Sequence, residues 1–374
     1  MDDPVNYGDT IDETIRTRSG YPARDVLKNF KQYLEQPGAE ASAKCLHYSA
    51  DLITSGCMDV WQKVLWDYAF DHVSMTNVRI FLFLKQQFDA LQASFSLLPS
   101  EDFYKRPENQ KIVGTCVLII RSIPRRPPLK MPRVGPETHT DAWLDGALNH
   151  DFHHDVVLRT FKPEHDAPIL RKIGEEFIQA CKDGATERAL FWMKWIFDEE
   201  QALKREQQAS LSTFERGPST WNKQRNHGSF FIGSLLLEMY KELSRNRVIR
   251  MDEEFKGLFI LYFHPYKPFS QKRRSDLLAL MIQIVCEVPR WKVPACPELI
   301  NDPVKFNRAL GHIHTFFQEV LAYDAPSGNV TKEVKKGNQA AMGLRKLNNR
   351  QLAQMQIDRK FEAYDSAFNS AMGF

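Results

Sequence analysis

Residues 168–197 read PILRKIGEEFIQACKDGATERALFWMKWIF, and this stretch decides the fold class. Its apolar residues recur at i, i+3 and i+4: Ile169, Leu170, Ile173, Phe177, Ile178 and Cys181, then Ala189, Leu190, Trp192, Met193, Ile196 and Phe197. Such spacing places apolar side chains on one helix face. Gly184 lies where glycine commonly ends a helix, and Thr186 is a typical helix N-cap. The stretch therefore predicts two consecutive amphipathic helices.

The same helical period extends through most of the chain. It recurs in residues 40–55, 58–72, 77–91, 108–121, 229–243, 252–263, 273–287 and 303–323. Gly56 lies where a helix C-terminal cap is expected. The run from Ile112 to Ile120 is rich in β-branched residues, so a buried strand is an alternative there. Prolines and glycines separate the segments, and the predicted fold class is mainly α.

Changes in composition divide the chain into four parts. We predict an N-terminal helical domain at 1–121 and a second helical domain at 167–326. A connector rich in proline, arginine and histidine, residues 122–166, joins these two multi-helix bundles. A basic C-terminal arm follows at 327–374. Residues 41–48 and 185–192 share a pattern of small, basic and aromatic residues, which suggests two related helical halves.

Composition excludes several classes of protein. The 374 residues carry 50 basic and 47 acidic side chains, a net charge of +3, which is too balanced to indicate a nucleic-acid or membrane partner for the whole chain. Six cysteines without a C-x-x-C pair disfavour a disulfide framework or a zinc ribbon and suit a reducing, intracellular compartment. The first residues, MDDPVN, lack the apolar region of a secretory signal. No apolar run is long enough to span a membrane.

Motifs of catalysis and cofactor binding are missing from the sequence. It holds no G-x-x-x-x-G-K-[ST], G-x-G-x-x-G, G-x-S-x-G or H-E-x-x-H. We therefore expect a protein that is not an enzyme and takes no cofactor.

The connector carries the first candidate contact residues. Prolines at 124, 127, 128, 132 and 136 forbid a regular helix and favour an extended chain. Its basic residues are Arg121, Arg125, Arg126, Lys130 and Arg133. Arginines on a stiff proline-rich backbone suit phosphate binding. The alternative is a strap between domains, packed against acidic helix faces.

A histidine patch follows, and it carries the candidate metal ligands. If residues 145–158 form a helix, His150, His153 and His154 share one face, with Asp155 close by. Imidazoles and a carboxylate so placed suit Zn²⁺ or another divalent ion. The His154-Asp155 pair also resembles that of metal-dependent phosphohydrolases. The alternative is a polar helix edge without a ligand.

The C-terminal arm is basic and ends in aromatic residues. Its candidate partner-binding residues are Lys332, Lys335, Lys336, Arg345, Lys346, Arg350, Phe361, Tyr364, Phe368 and Phe374. The cations suit contacts to nucleic-acid phosphates that do not depend on sequence. The alternative is a docking arm for a protein partner, with the aromatic residues as anchors.

Residues 41–92 carry a family resemblance. They include ASAKCLHYSADLITSGC from residue 41, Val60-Trp61 through Trp66, and HVSMTNV at 72–78. This pattern resembles the helical C-terminal region of clamp-loader-like ATPases of the replication-restart type. It is also similar to an arrangement without the ATPase in proteins of large nucleocytoplasmic DNA viruses. The resemblance implies an oligomerising, collar-like helical domain and carries over no catalytic residue.

Together these observations predict a non-enzymatic helical scaffold or adaptor that assembles with itself or with other proteins. The resemblance implies a virion-associated component of a large DNA virus, in the host cytoplasm or nucleus. A replication accessory that binds nucleic acid is the alternative. A metal-dependent hydrolase at the histidine patch is a third hypothesis.

Overall fold

The computed structural model describes residues 15–149, 151–206, 209–217, 226–249, 252–263, 271–290 and 298–323. The predicted fold class is confirmed, because these residues are mainly α-helical and form no β-strand beyond isolated bridges. The helices are α1 (Ala23–Glu35), α2 (Ala39–Thr54), α3 (Met58–Tyr68), α4 (Arg79–Leu97), α5 (Ser100–Lys105), α6 (Pro107–Ser122), α7 (Asp141–Ala147), α8 (Asp155–Thr160), α9 (Pro168–Asp183), α10 (Thr186–Glu206), α11 (Ser229–Arg245), α12 (Asp252–Phe263), α13 (Gln271–Glu287), α14 (Pro303–Gly311) and α15 (Ile313–Leu321).

Local sequence signals set several helix ends. Gly184 ends α9 in the left-handed conformation, with φ at 71°. Gly56 follows α2 with φ at 79°, and the Cys57 N–H closes the turn by donating to the Leu52 carbonyl at 2.9 Å. Both glycine caps are thus confirmed. The β-branched run from Ile112 to Ile120 lies inside α6, so helix replaces the strand alternative there.

The first compact unit comprises the described residues of Met1–Asp67, Phe83–Ile123 and Ile300–Phe374. In this unit α2 is central and packs against α1, α6 and α15. Helix α14 approaches α6 closely at Gly114, where a Cβ atom would lie 2.8 Å from Leu310 Cδ1. Trp61 is fully buried against Phe88 and donates its indole N–H to Ser49 Oγ at 2.9 Å.

The second compact unit comprises the described residues of Tyr68–Leu82 and Pro124–Leu299. Its central helix is α13, which packs against α9, α10, α11 and α12. Helix α8 packs against α9 and α11. Gly174 on α9 makes this possible, because a Cβ atom there would lie 3.2 Å from both Phe231 and Val157.

These compact units divide the chain differently from the predicted domains. Helices α14 and α15 group with the first unit, although 303–323 was predicted within the domain at 167–326. The reason is packing, since α15 lies against α2 and α6. The described residues of 124–166 group with the second unit and include α7 and α8, so only part of the predicted connector lacks regular secondary structure.

The single helix over residues 145–158, on which the predicted metal site depended, does not form. Helix α7 ends at Ala147 and α8 begins at Asp155, with non-helical residues between them. Two glutamates of α9 accept hydrogen bonds from backbone N–H groups of the residues between α7 and α8. Glu176 accepts a hydrogen bond from the Asn149 backbone N–H, and Glu175 accepts one from the His154 N–H, each at 2.7 Å.

Candidate protein-interaction site

The cationic proline segment, residues 124–133, has no regular secondary structure and lies largely at the surface. Pro124, Pro127, Pro128 and Pro132 have no N–H group, so they cannot form the backbone ladder of a helix. The Arg126 N–H donates to the His72 carbonyl at 2.7 Å and fixes one point of the segment. Beyond its end, Thr138 is buried, and its carbonyl accepts from the Trp195 indole at 3.0 Å.

Four exposed cations belong to this segment. Arg125, Arg126, Lys130 and Arg133 are exposed. Within the part of the chain that the structure describes, none of their side chains takes part in a hydrogen bond or an ion pair. The segment therefore carries four positive charges that the described residues do not neutralise.

Arg121 has a different role from the other four predicted connector cations. Its guanidinium donates to the backbone carbonyls of Tyr33, Gln36 and Gly38, the distance to Gln36 being 2.8 Å. It also donates to Ser42 Oγ at 3.1 Å. Arg121 thus satisfies orphan carbonyls at the end of α1, which places it inside the first unit.

An aromatic groove of about 500 Å³ lies in the first unit, among α1, α2 and α15. We call it the aromatic groove; its lining residues are Tyr21, Asp25, Val26, Asn29, Ala43, Lys44, His47, Tyr48 and Phe316. The volume lies within the roughly 300–1,000 Å³ of ordinary ligand pockets. Tyr21 is 62% exposed, so the groove opens to the surface at one of its aromatic walls.

Ring contacts order the wall of the aromatic groove. His47 lies edge-on to Phe316, with ring centroids 5.9 Å apart and planes at 85°. His47 also meets Tyr48 at 6.2 Å, and Tyr48 lies 5.9 Å from Tyr33. Edge-on and tilted contacts are the favoured arrangements of aromatic rings. The rings of His47, Tyr48 and Phe316 therefore support one another where they line the groove.

Around the groove, the lysine is paired with a carboxylate, whereas Asp25 has no ion pair among the described residues. Lys44 lies 2.6 Å from Glu40 and donates to the Tyr33 hydroxyl at 3.2 Å, so its charge is compensated. Asp25 is exposed in the first turn of α1, and no ion pair to it occurs among the described residues. Glu319 lies 3.8 Å from His47 Nδ1 and is itself exposed.

Sequence reasoning missed this groove. Helix α1 was not singled out, and Tyr48, His47 and Phe316 looked like ordinary positions on apolar helix faces. The available signal was the amphipathic period of Ala23–Glu35, whose buried residues are Ala23, Val26, Leu27, Phe30 and Leu34.

The candidate metal ligands that the structure describes do not form a cluster, and one of them, His154, is already hydrogen-bonded to Lys182. His153 and Asp155 are exposed, and His154 precedes α8. The Lys182 ammonium donates to His154 Nδ1 at 3.2 Å, and burial, with the Lys182 charge, lowers the pKa of His154. Across the described residues, no three His, Cys, Asp or Glu side chains form a group that suits a metal ion. His150 lies outside the described residues, as does the whole set of predicted arm residues from Lys332 to Phe374.

Comparisons with known proteins give no relative. No protein-family model, no curated protein and no solved structure matches this chain. In the described part of the chain, no helix has the length and apolar character needed to cross a membrane.

Proposed function

We propose that this chain is a non-catalytic helical scaffold that binds protein partners, including copies of itself, through the cationic proline segment. The observation that carries the proposal is a set of four exposed cations, Arg125, Arg126, Lys130 and Arg133, whose side chains have no partner among the residues that the structure describes. The resemblance of residues 41–92 to oligomerising collar domains supports assembly as the role. The same resemblance favours a virion-associated or replication-associated setting for the scaffold.

The contrast with other arginines supports this choice. Arg79 pairs with Glu254 at 2.7 Å, and Arg273 pairs with Asp71 at 2.8 Å. Arg18 pairs with Glu101 at 2.7 Å. Uncompensated like charges close together repel one another, so the unpaired set in 124–133 is unfavourable for the chain alone. An acidic surface on a partner would neutralise it and would also steer association.

The prolines make the segment suitable for binding. A proline-rich chain favours the stiff polyproline II conformation, which has no internal hydrogen bonds and presents its carbonyls to a partner. Because φ is already fixed at each proline, less conformational entropy is lost when the segment binds. Recognition of proline-rich segments by other proteins uses this property.

The alternative is a nucleic-acid accessory, because the same four cations suit phosphate contacts. One experiment separates the two. We would compare the full-length chain with the variant R125A/R126A/K130A/R133A. The matched control is K105A/K111A/R171A/K172A, which removes four other exposed cations.

Sedimentation velocity over a concentration series measures self-association, and fluorescence anisotropy measures binding to duplex DNA. We expect the segment variant to lose self-association and the control to keep it. Wild-type self-association should also weaken as salt rises, because the contacts are charged. Loss of DNA binding with unchanged self-association would favour the nucleic-acid accessory. Unchanged behaviour in both assays would overturn the proposal.

A further inference from the structure

We infer that the aromatic groove is the receptor for the cationic proline segment of a second copy of this chain. This inference rests on the proposed function and names the surface to which the segment binds. Both surfaces are described by the structure: the groove lined by Tyr21, His47, Tyr48 and Phe316, and the exposed residues 124–133.

The shape and chemistry of the groove suit proline. Recognition of polyproline II segments takes place in grooves lined by aromatic rings, against which proline rings pack. The aromatic side chains of Tyr21, Tyr48 and Phe316 line the groove and supply such rings. The segment's backbone carbonyls have no internal partners in this conformation. The Asn29 amide and the tyrosine hydroxyls of the lining are donors that can satisfy them.

The charges are complementary as well. Asp25 lines the groove, Glu319 lies 3.8 Å from the lining residue His47, and both carboxylates are exposed. The charged side chains of the segment are all cations. The one lysine of the lining, Lys44, already pairs with Glu40. Arginine guanidiniums also pack favourably on tyrosine faces. Arg125 and Arg126, which lie between Pro124 and Pro127, can therefore use both the carboxylates and the exposed ring of Tyr21.

The size of the groove limits how much of the segment enters it. Polyproline II rises about 3.1 Å per residue, so residues 124–133 extend over roughly 30 Å. A groove of about 500 Å³ takes only a few of these residues, and the remaining cations lie at its rim. Pro127-Pro128 is the one adjacent proline pair of the segment. We assign this pair to the aromatic side chains of the groove.

The experiment uses the full-length chain and a fluorescent peptide of residues 124–135. The groove variant is Y21A/D25K, which changes two exposed side chains and spares the buried wall. Its matched control is Y323A/D145K, the same two changes at exposed positions outside the groove lining. Anisotropy measures peptide affinity, and sedimentation velocity measures self-association. Circular dichroism verifies that each variant is folded.

We expect saturable peptide binding that Y21A/D25K weakens by about tenfold or more and that Y323A/D145K leaves unchanged. Y21A/D25K should also lower self-association as R125A/R126A/K130A/R133A does. A second peptide in which alanine replaces Pro127 and Pro128 should bind more weakly than the native one.

Two results would overturn this inference, and only the first of them leaves the proposed function intact. The first is that Y21A/D25K self-associates like wild type while R125A/R126A/K130A/R133A does not. The second is groove-dependent peptide binding by a chain that stays monomeric, which would assign the groove to another protein's proline-rich segment. If neither variant changes self-association, both this inference and self-assembly through 124–133 fail.

Discussion

Arg216 binds the carboxylate of Asp166 through both of its terminal nitrogens, and both side chains are buried in the second unit. Asp166 also accepts from Ser212 Oγ at 2.6 Å, and Arg216 donates to the Thr160 carbonyl at 3.1 Å. Although burial opposes it, the hydrogen bonds from Arg216 and Ser212 hold the pKa of Asp166 below its usual value. The pair fastens residues 209–217 to the turn between α8 and α9.

Asp166→Asn therefore leaves the Arg216 guanidinium buried without its counter-charge. We expect a loss of about 3 kcal/mol in local stability, the range for breaking one partner of a buried pair. Hydrogen exchange followed by mass spectrometry measures it over residues 160–217, and over α4 for the control. The matched control is Asp89→Asn, which removes the exposed Lys85–Asp89 pair and should cost about 0.5 kcal/mol or less. Equal effects of the two changes would contradict this account.

His227 gives the second unit a pH-dependent stability. Burial, together with the Lys204 and Arg274 charges, lowers its pKa to about 4, although Glu200 acts in the opposite direction. Its Nδ1 accepts the backbone N–H of Ser229 at 3.1 Å, at the first residue of α11. Protonation would remove this acceptor and place a positive charge at a helix N-terminus, where it is unfavourable.

Because the folded pKa lies below the unfolded value near 6.5, the neutral ring stabilises the fold fully above about pH 6.5. This stabilisation is lost as the pH falls from there to about 4, by at most about 3 kcal/mol. Denaturant unfolding at pH 7 and pH 4.5 tests it. His227→Gln should flatten this part of the pH profile, whereas His312→Gln, at an exposed site, should not. An NMR titration of His227 with a midpoint near 6.5 would refute the prediction.

Replacing glycine by alanine should have opposite effects on stability at Gly184 and at Gly146. Gly184 adopts φ of 71° at the end of α9, where a Cβ atom is strained. Gly184→Ala should lower the free energy of unfolding by about 1 kcal/mol. Gly146, inside α7, has nothing within 4 Å of an added Cβ atom, so Gly146→Ala should raise stability by roughly 0.5–1 kcal/mol. Denaturant midpoints of the two variants should shift in opposite directions.

Zinc binding should not depend on His153 and His154. The first side chain is exposed, and Nδ1 of the second accepts a hydrogen bond from Lys182. We expect isothermal titration with Zn²⁺ to give the same result for wild type and for H153A/H154A. A stoichiometric site in wild type that the double variant lacks would restore the metal hypothesis.

The basic arm is tested by neutralising its cations in the full-length chain, as K332A/K335A/K336A/R345A/K346A/R350A. We expect no binding to duplex DNA at physiological salt for either protein, because we favour a protein-docking role for the arm. The opposite outcome is binding whose affinity falls steeply with salt, by about 0.9 log units per contacted phosphate, and that the variant loses. That outcome would assign the arm to nucleic acid.

The sequence by itself determined the mainly α fold class, most helix positions, the glycine caps at 56 and 184 and the proline segment at 124–133. These features depend on neighbours within a few residues along the chain. The apolar period predicts the helices, glycine predicts their ends, and the missing N–H group of proline predicts where no helix forms.

Only the tertiary structure decided the features that join distant residues. It placed α14 and α15 with the first unit and directed the half-buried Arg121 guanidinium to carbonyls at the end of α1 and just after it. It also ended the predicted helix between α7 and α8, where the Asn149 and His154 backbone N–H groups donate to Glu176 and Glu175. The aromatic groove likewise needs α1, α2 and α15 together. The physical reason is that side-chain packing and side-chain hydrogen bonds join residues that lie from about twenty to more than two hundred positions apart. No local period in the sequence encodes which of these distant residues meet.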